Sequence, residues 1–243
     1  MKQVFVQEPL SLNTTVLLDE KQAHHLFDVL RTTSRETVRV VSQGEVFLAH
    51  PEQKPQLYIF GREEVRPRMV DVTLCAALIK ADKWEWMLQK AAELGVSRIV
   101  PFVSRNTVVS IDQKKMDKKM ARWQAILEAA AKQCNRADQV LLEPVQTISS
   151  LKEFKSKCNL VCYSKEDVSR HIASYLQLMP DSVTIAIGPE GGFTPAEVEE
   201  LEEEGFFPCS LGDLILRAET AACYTLSVIE YQSHLPVSQE DAR

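Results

Sequence analysis

Short runs of alternating apolar and polar positions, separated by turn residues, occupy the first part of the chain. Alternation of this kind predicts half-buried β-strands. Five such runs follow one another: QVFVQ, TTVLLD, ETVRVVS, EVFLAHP and QLYIFGREEVR. Residues 21–31 have helical spacing instead and separate the second run from the third. The pattern predicts a small β-barrel over residues 1–70.

From Asp71 the period changes to an alternation of apolar strands and amphipathic helices. Predicted strands are VTLCAALI, SRIVPFV, QVLLEPV, NLVCYS, VTIAIG and FFPCSL. Predicted helices cover residues 83–94, 114–136, 149–157, 168–179, 195–204 and 218–231. This order predicts an α/β domain over residues 71–243, with a mainly parallel sheet covered on both faces.

The longest predicted helix, residues 114–136, places apolar residues three and four positions apart. This stripe contains Met116, Met120, Trp123, Leu127, Ala130 and Cys134. Such spacing is typical of a helix face that packs into a core. We therefore assign Trp123 and the two methionines to the core and not to a ligand site.

The composition is that of an ordinary globular protein of two domains. The chain has 243 residues, of which 45% are hydrophobic and 26% charged, enough apolar surface for a substantial core. No run of about eighteen apolar residues appears, and the N-terminus MKQVFVQEPL lacks a signal-peptide pattern. We expect a cytoplasmic protein with no membrane partner.

The six cysteines contain no C-x-x-C pair, and most lie in apolar segments. Reduced core thiols are the expected state of such cysteines. Cys158 and Cys162 are four residues apart, but no histidine or second cysteine pair accompanies them. We expect no metal site.

The net charge of −6 hides an uneven distribution. Residues 190–204 hold seven glutamates and no basic residue. Residues 102–123 are locally positive, because only Asp112 and Asp117 oppose a basic set that comprises Arg105, Lys114, Lys115, Lys118, Lys119 and Arg122. This segment is either a solvated helix face or a surface that contacts phosphates.

A glycine-rich segment, VTIAIGPEGGFTPAEVEEL, carries the first chemical signal. An apolar strand leads into Gly188, Pro189, Glu190, Gly191 and Gly192 before a helix. Three glycines in five residues permit positive φ angles and let a ligand lie directly against the backbone. The alternative is a structural turn that binds nothing.

The residues around this loop argue against a phosphate ligand. Thr194, Pro195 and Glu197 form a T-P-A-E capping box, which occupies the free amides that a phosphate would need. Glu190 also places a negative charge in the loop, and no Lys-Ser/Thr pair follows it. A ligand without phosphate, such as S-adenosyl-methionine, suits the loop better than ATP or NAD.

The second chemical signal is SLGDLILRAETAACY, where a strand ends and an apolar helix begins. Arg217 stands among apolar residues there. It is either half of an ion pair with Glu219 or Glu190, or a charge held for an anionic substrate.

Taken together, these segments resemble the paired C-terminal signature of the SPOUT-class methyltransferases, specifically the family that methylates uracil N3 in 16S ribosomal RNA. GPEGGF at 188–193 and LGDLILRAETA at 211–221 carry the resemblance. Further matches are HHLFDVLR at 24–31, Lys90, Glu93, Leu94 and Gly95 of LQKAAELGV, Pro101, and Gln133 and Arg136 of AAAKQCNR. The likeness covers nearly the whole chain in the right order.

The resemblance implies a PUA-like RNA-binding barrel at residues 1–70 and a C-terminal α/β domain with a trefoil knot, assembled as a homodimer. It implies S-adenosyl-methionine as cofactor, bound by Gly188, Pro189, Glu190, Gly191, Gly192, Leu211, Gly212 and Leu216. Arg217 and Glu219 are the predicted catalytic residues. The expected partner is 16S ribosomal RNA or the small ribosomal subunit, and the predicted RNA-binding residues are Arg31, Arg105, Lys114, Lys115, Lys118, Lys119 and Arg136.

Several positions depart from the family's pattern, and other functions stay open beside it. The departures are Gln3, Ala81, Lys132, Asn135 and Leu214. A non-catalytic RNA-binding protein, an α/β enzyme acting on a small metabolite and a methyltransferase of the same fold acting on another RNA are the alternatives. The proton acceptor for uracil N3 is Glu219, Glu190 or water.

Overall fold

The computed structural model describes residues 1–109, 113–178 and 180–235, with the side chains of Gln113 and Lys114 excluded. The chain divides into two compact units. The first comprises Met1–Pro67 together with Ala131–Gln139, and the second comprises Arg68–Ala130 together with the residues from Val140 onward. The last residues of the helix Gln113–Gln133 and the loop that follows it thus belong to the N-terminal unit.

The first unit contains a curled five-stranded sheet in the order β1-β3-β4-β5-β2. Its strands are β1 (Lys2–Val6), β2 (Thr14–Leu17), β3 (Val38–Ser42), β4 (Glu45–Pro51) and β5 (Gln56–Glu63). β1 runs parallel to β3, and the other pairs are antiparallel. All five predicted strands are present, and the curled sheet forms a half-barrel where a barrel was predicted.

The predicted helix at residues 21–31 is wound in two ways. α1 (Glu20–Ala23) begins at the N-cap Asp19, whose carboxylate accepts a hydrogen bond from the amide of Gln22 at 2.7 Å. The chain continues as a π-helix over His24–Val29, because the Leu30 amide bonds to the carbonyl of His25, five residues earlier. Periodicity alone does not distinguish these two windings.

A buried arginine joins residues 131–139 to the first unit. The guanidinium of Arg39 binds both carboxylate oxygens of Glu63, at 3.1 and 2.7 Å, and donates to the side chain of Gln3 and the carbonyl of Asn135. Gln3 in turn donates to the carbonyl of Arg136 at 2.8 Å. The departures at Gln3 and Asn135 therefore lie in a structural hydrogen-bond network of this unit.

The second unit contains a seven-stranded sheet in which every strand pair is parallel. The order is β12-β10-β11-β6-β7-β8, and β9 also pairs with β7. The strands are β6 (Asp71–Ala77), β7 (Arg98–Val103), β8 (Leu141–Leu142), β9 (Gln146–Thr147), β10 (Cys158–Cys162), β11 (Ser182–Ile187) and β12 (Phe207–Cys209). The predicted mainly parallel α/β sheet is confirmed.

Four predicted helices of this part of the chain are present as long α-helices. They are α2 (Ala81–Glu93), α3 (Gln113–Gln133), α5 (Pro195–Glu203) and α6 (Ala218–Ser233). Alternating residues of β6 pack into different cores: Leu74 and Ala76 join one cluster, and Cys75 and Ala77 join another. Both faces of the sheet are covered, as predicted.

The apolar stripe of α3 packs into the first of these clusters. Met116, Trp123 and Leu127 are buried there, and the Trp123 ring lies 5.3 Å from the ring of Trp84. The assignment of Trp123 to the core is confirmed.

Two predicted helices are wrong in type or continuity. The helix predicted at residues 149–157 is a 3₁₀ helix that spans Ile148–Phe154. Residues 168–179 split into a 3₁₀ turn, Val168–Arg170, and α4 (Ile172–Tyr175), while Met179 lies outside the described residues. The break occurs at His171, which is extended because it pairs with Ser210 in a β-bridge and caps α4 with its imidazole.

None of the described helices has the length and apolar character needed to cross a membrane.

Candidate functional site

Three neighbouring strands end at one edge of the parallel sheet and form a pocket there. β10, β11 and β12 are adjacent and parallel, so their carboxyl ends meet at the same edge. The cavity volume is about 190 Å³. The lining residues are Cys162, Tyr163, Ser164, Ile187, Gly188, Pro189, Glu190, Gly191, Gly192, Phe193, Ser210, Leu211, Gly212, Asp213, Leu214, Ile215, Leu216, Ala218 and Ala221.

Every residue that the sequence suggested for cofactor binding lines this pocket. These residues are Gly188, Pro189, Glu190, Gly191, Gly192, Leu211, Gly212 and Leu216. Sequence reasoning missed the contribution of Cys162, Tyr163 and Ser164 at the end of β10. The signal that could have found them was the apolar run NLVCYS, because a strand adjacent to β11 brings its carboxyl end to the same edge.

The glycines of the pocket are required for two different reasons. Gly192 and Gly212 have φ angles of +68° and +108°, which only glycine adopts readily. Gly188 and Gly191 do not have positive φ; a Cβ atom would lie 3.0 Å from the Phe193 ring at the former and 2.9 Å from the Asn106 Cβ at the latter. The expected backbone freedom therefore applies to two of these four glycines, and close packing explains the other two.

Asn106 holds the glycine loop from outside, a role not predicted from the sequence. Its side-chain amide donates hydrogen bonds to the carbonyls of Gly191 and Gly192, at 3.1 and 3.0 Å. Asn106 lies in the loop after β7, so a neighbouring loop restrains the backbone that lines the pocket. No motif marked this asparagine, since the contact joins residues 85 positions apart.

The predicted capping box at the start of α5 is confirmed. The Thr194 hydroxyl accepts a hydrogen bond from the Glu197 amide, and the Glu197 carboxylate accepts one from the Thr194 amide at 2.8 Å. The other oxygen of this buried carboxylate accepts a hydrogen bond from the Arg105 amide at 2.7 Å. Glu197 thus joins two loops and occupies amides that an anion would need.

The pocket lining is acidic and contains no basic residue. Glu190 and Asp213 are its charged members among the lining residues that the structure describes. Such a surface disfavours phosphate groups and tolerates a cation.

A pair of thiols lies at the adjacent ends of β10 and β12. The Sγ atoms of Cys162 and Cys209 are 3.9 Å apart. The hydrogen bond with Cys209 and, as a smaller cause, burial hold the pKa of the Cys162 thiol well above its ordinary value. Cys162 is therefore a neutral thiol and not a nucleophile in the pocket.

Arg217 is the N-cap residue of α6 and is exposed to solvent. The apolar residues that precede it, Leu214 and Ile215, are themselves 79% and 86% exposed, so the Arg217 charge is hydrated. No ion pair of Arg217 occurs within the described part of the chain. The glutamates considered as its partners, Glu190 and Glu219, instead face the ammonium group of Lys83.

Glu219 lies in the first turn of α6 and is buried. Its Oε1 is 3.8 Å from Lys83 Nζ. Its Oε2 is buried and has no hydrogen-bond partner among the described residues. Leaving a buried carboxylate oxygen without a hydrogen bond is costly. Because no described residue donates to Oε2, this oxygen is an unused acceptor for a proton or a hydrogen bond.

The residues predicted to contact RNA have different surroundings. In the first unit, Arg31 is exposed at a φ of +49°, whereas the Arg136 side chain is 8% exposed and pairs with Asp138 at 2.9 Å. Arg136 therefore has a structural role in this unit, and its guanidinium has little surface left for a phosphate.

In the second unit, Arg105, Lys115 and Lys118 are exposed and Lys119 is half-buried. The side chain of Lys114 lies outside the described residues. The nearby Arg122 pairs with Glu85 through two hydrogen bonds, at 2.5 and 2.7 Å, which lowers the positive charge of this helix face.

The cysteines and the acidic residues form no evident metal site. No disulfide joins the six cysteines, and no group of three or more histidine, cysteine, aspartate or glutamate side chains suited to a metal ion occurs in the described ranges.

Comparison with known proteins identifies relatives of the whole chain. The RNA methyltransferase domain family matches residues 66–230. The ribosomal RNA small subunit methyltransferase E of Bacillus subtilis is 33% identical over 236 residues, which is 91% of each protein. The enzyme of the same name from Neisseria gonorrhoeae, solved with bound S-adenosyl methionine, has a TM-score of 0.83 and 25% identity, covering 95% of this chain and 97% of that one.

A second solved structure is a Legionella pneumophila protein described as a methyltransferase, in complex with the cofactor SAM. Its TM-score is 0.85 at 30% identity, and the match covers 94% of this chain and 96% of that one. The agreement extends over both units of the chain.

Replacement of Glu197 by alanine tests the support of the glycine loop. Because this buried carboxylate serves three donors, we expect Glu197→Ala to lower the free energy of unfolding by about 2 kcal/mol. We also expect faster hydrogen exchange at the Arg105 amide. Urea unfolding and exchange mass spectrometry measure these changes. Glu199→Ala, at an exposed position of the same helix, is the control, and equal effects of the two variants would contradict the assignment.

Proposed function

Because this chain belongs to the ribosomal RNA small subunit methyltransferase E family, we propose that it methylates uracil N3 of a uridine in small-subunit ribosomal RNA. The methyl donor is S-adenosyl-methionine. The observation that carries the proposal is the pocket at the ends of β10, β11 and β12, which is lined by the glycine loop and the loop before α6.

The lining of the pocket suits this cofactor. Beyond Gly192 and Gly212 the space is open, so a ligand can approach the backbone where any other residue would place a side chain. Backbone amides and carbonyls of the two loops offer donors and acceptors to an adenine and a ribose. Glu190 and Asp213 suit a ligand that carries a positive charge and no phosphate.

When bound, S-adenosyl-methionine supplies a methyl group activated by its positively charged sulfur. The chain's own residues have to prepare the other reactant. Uracil N3 carries a proton at neutral pH, so the site must accept that proton and stabilise the negative charge that spreads onto the uracil carbonyl oxygens.

Arg217 is the proposed source of that stabilising charge. It begins the helix that follows the pocket loop, next to the lining residues Leu216 and Ala218. Its planar guanidinium can donate two parallel hydrogen bonds to a base or a phosphate. Since Arg217 is already exposed, it can meet a large RNA substrate without first leaving a protein partner.

Glu219 is the proposed proton acceptor, with Glu190 and water as alternatives. Its Oε2 is an unused acceptor in the same helical turn as Arg217. A carboxylate positioned in this way can accept the N3 proton directly or through one water molecule.

The wider organisation belongs to the same proposal. We assign the N-terminal half-barrel to a PUA-like RNA-binding domain, residues 1–70, and the C-terminal domain, residues 71–243, to the SPOUT class with its trefoil knot. We expect a cytoplasmic homodimer that needs no metal. Exposed apolar side chains at Leu214 and Ile215, which line the pocket, support a protein contact there.

Calorimetry with S-adenosyl-methionine and with two nucleotides, ATP and NAD, tests the ligand specificity of the pocket. We expect S-adenosyl-methionine and its demethylated product to bind, and ATP and NAD not to bind. Gly191→Val should weaken this binding at least tenfold, because its side chain would collide with Asn106 and displace the loop. Gly61→Val, in the N-terminal sheet, is the control. Binding of NAD without a response to S-adenosyl-methionine would overturn the proposal.

Replacement of Arg217 tests its catalytic assignment. We expect Arg217→Ala to reduce single-turnover methyl transfer about 100- to 1,000-fold while melting temperature and cofactor affinity stay unchanged, because the side chain is exposed. Arg217→Lys should restore little, since an ammonium lacks the planar fork. Arg170→Ala, at another exposed arginine, is the control. A normal rate for Arg217→Ala would remove Arg217 from the catalytic residues.

Charge reversal tests the basic face of α3. We expect replacement of Lys115, Lys118 and Lys119 by glutamate to weaken RNA binding. The slope of log K against log salt concentration should become shallower by about 0.7 to 0.9 for each phosphate that is no longer neutralised. Cofactor affinity should not change. Reversal of Lys152, Lys155 and Lys157, which are also exposed, controls for net charge. Equal salt slopes in the two triple variants would show that the α3 lysines form only a solvated face.

A further inference from the structure

Lys83 lies where three elements of the second unit meet. It is in the first turn of α2, and its Nζ atom is 3.8 Å from an oxygen of Glu190 and 3.8 Å from an oxygen of Glu219. Glu190 belongs to the glycine loop that lines the pocket, and Glu219 belongs to the first turn of α6. One ammonium group therefore bridges the pocket loop and the helix that carries the proposed proton acceptor.

The two carboxylates depend on this cation. The side chains of Lys83, Glu190 and Glu219 are 28%, 29% and 12% exposed, so the three charges are only partly hydrated. Two carboxylates that share one cation repel each other when that cation is removed. Lys90, further along α2, is paired with Glu93 at 2.8 Å.

The bridge leaves one oxygen of Glu219 unused. Lys83 approaches Oε1, while Oε2 is buried and has no hydrogen-bond partner among the described residues. The neighbouring Cys223 contributes no charge, since burial raises the pKa of its thiol. The contact at Oε1 thus restrains the carboxylate while Oε2 stays available as an acceptor.

From this geometry we infer that Lys83 is a positioning residue for methyl transfer. It fixes the glycine loop through Glu190 and restrains the Glu219 carboxylate through Oε1, which leaves Oε2 without a protein donor among the described residues. It acts through these two carboxylates and does not contact the reacting atoms. The inference rests on the proposed function, since Glu219 is the proton acceptor only if a base is methylated.

The test compares Lys83→Met with Lys83→Arg and with a matched control. Methionine has a similar length without the charge, and arginine keeps a charge that can reach both carboxylates. Lys90→Met is the control, because Lys90 is on the same helix, pairs with a glutamate and is 33% exposed. Single-turnover transfer at saturating RNA and cofactor, the Kd of the demethylated cofactor and the melting temperature are measured for each variant.

We expect Lys83→Met to slow single-turnover transfer ten- to 100-fold and to weaken binding of the demethylated cofactor several-fold. Lys83→Arg should recover most of both losses, and Lys90→Met should change neither. Glu190→Gln combined with Lys83→Met should weaken cofactor binding less than the product of the single effects, because both changes remove the same bridge.

Two results would overturn the inference. One is a normal rate per folded molecule for Lys83→Met with a lower melting temperature, which is the behaviour of a purely structural residue. The other is full additivity of Lys83→Met and Glu190→Gln in cofactor binding. If Lys83→Met does not fold, Glu190→Gln and Lys83→Arg probe the same bridge. Absence of RNA methylation by the parent protein would refute the proposed function instead, while the binding cycle would still decide whether the bridge exists.

Discussion

Parallel pairing of β10 with both β11 and β12 is the constraint on which the rest of the site depends. It brings three strand ends to one edge of the sheet, although the strands are separated along the chain by a helix or a long loop. Parallel strands need such crossover connections, so the residues that meet at the edge come from distant parts of the sequence. Because both faces of the sheet are covered by apolar clusters, this edge is where polar loops can form a pocket.

Within the pocket, backbone shape is maintained by contacts that lie outside it. Asn106 holds the carbonyls of Gly191 and Gly192, and Glu197 ties the start of α5 to the loop after β7. These restraints let the glycine loop offer its backbone to a ligand without relying on the ligand for its shape. The capping box also disfavours a phosphate ligand, since Thr194 and Glu197 satisfy each other's backbone amides at the helix end.

Charge is divided between the pocket and its surroundings. The lining carries Glu190 and Asp213, whereas Lys83 contacts Glu190 and Glu219, and Arg217 lies at the start of α6. This separation suits a positively charged methyl donor inside and an anionic RNA outside. It also explains how a protein with a net charge of −6 can act on a polyanion, because residues 190–204 alone contribute seven glutamates and no basic residue.

The sequence by itself determined the fold class, the glycine loop, the capping box and eight residues of the pocket, because these depend on local periodicity and on motifs that are contiguous in the chain. Only the tertiary structure decided what the charged residues contact. Periodicity could not show that residues 131–139 join the first unit, that Arg136 is buried in an ion pair, or that Glu190 and Glu219 meet Lys83 and not Arg217. An ion pair is set by distances between side chains on separate elements, and those distances follow from how the elements pack.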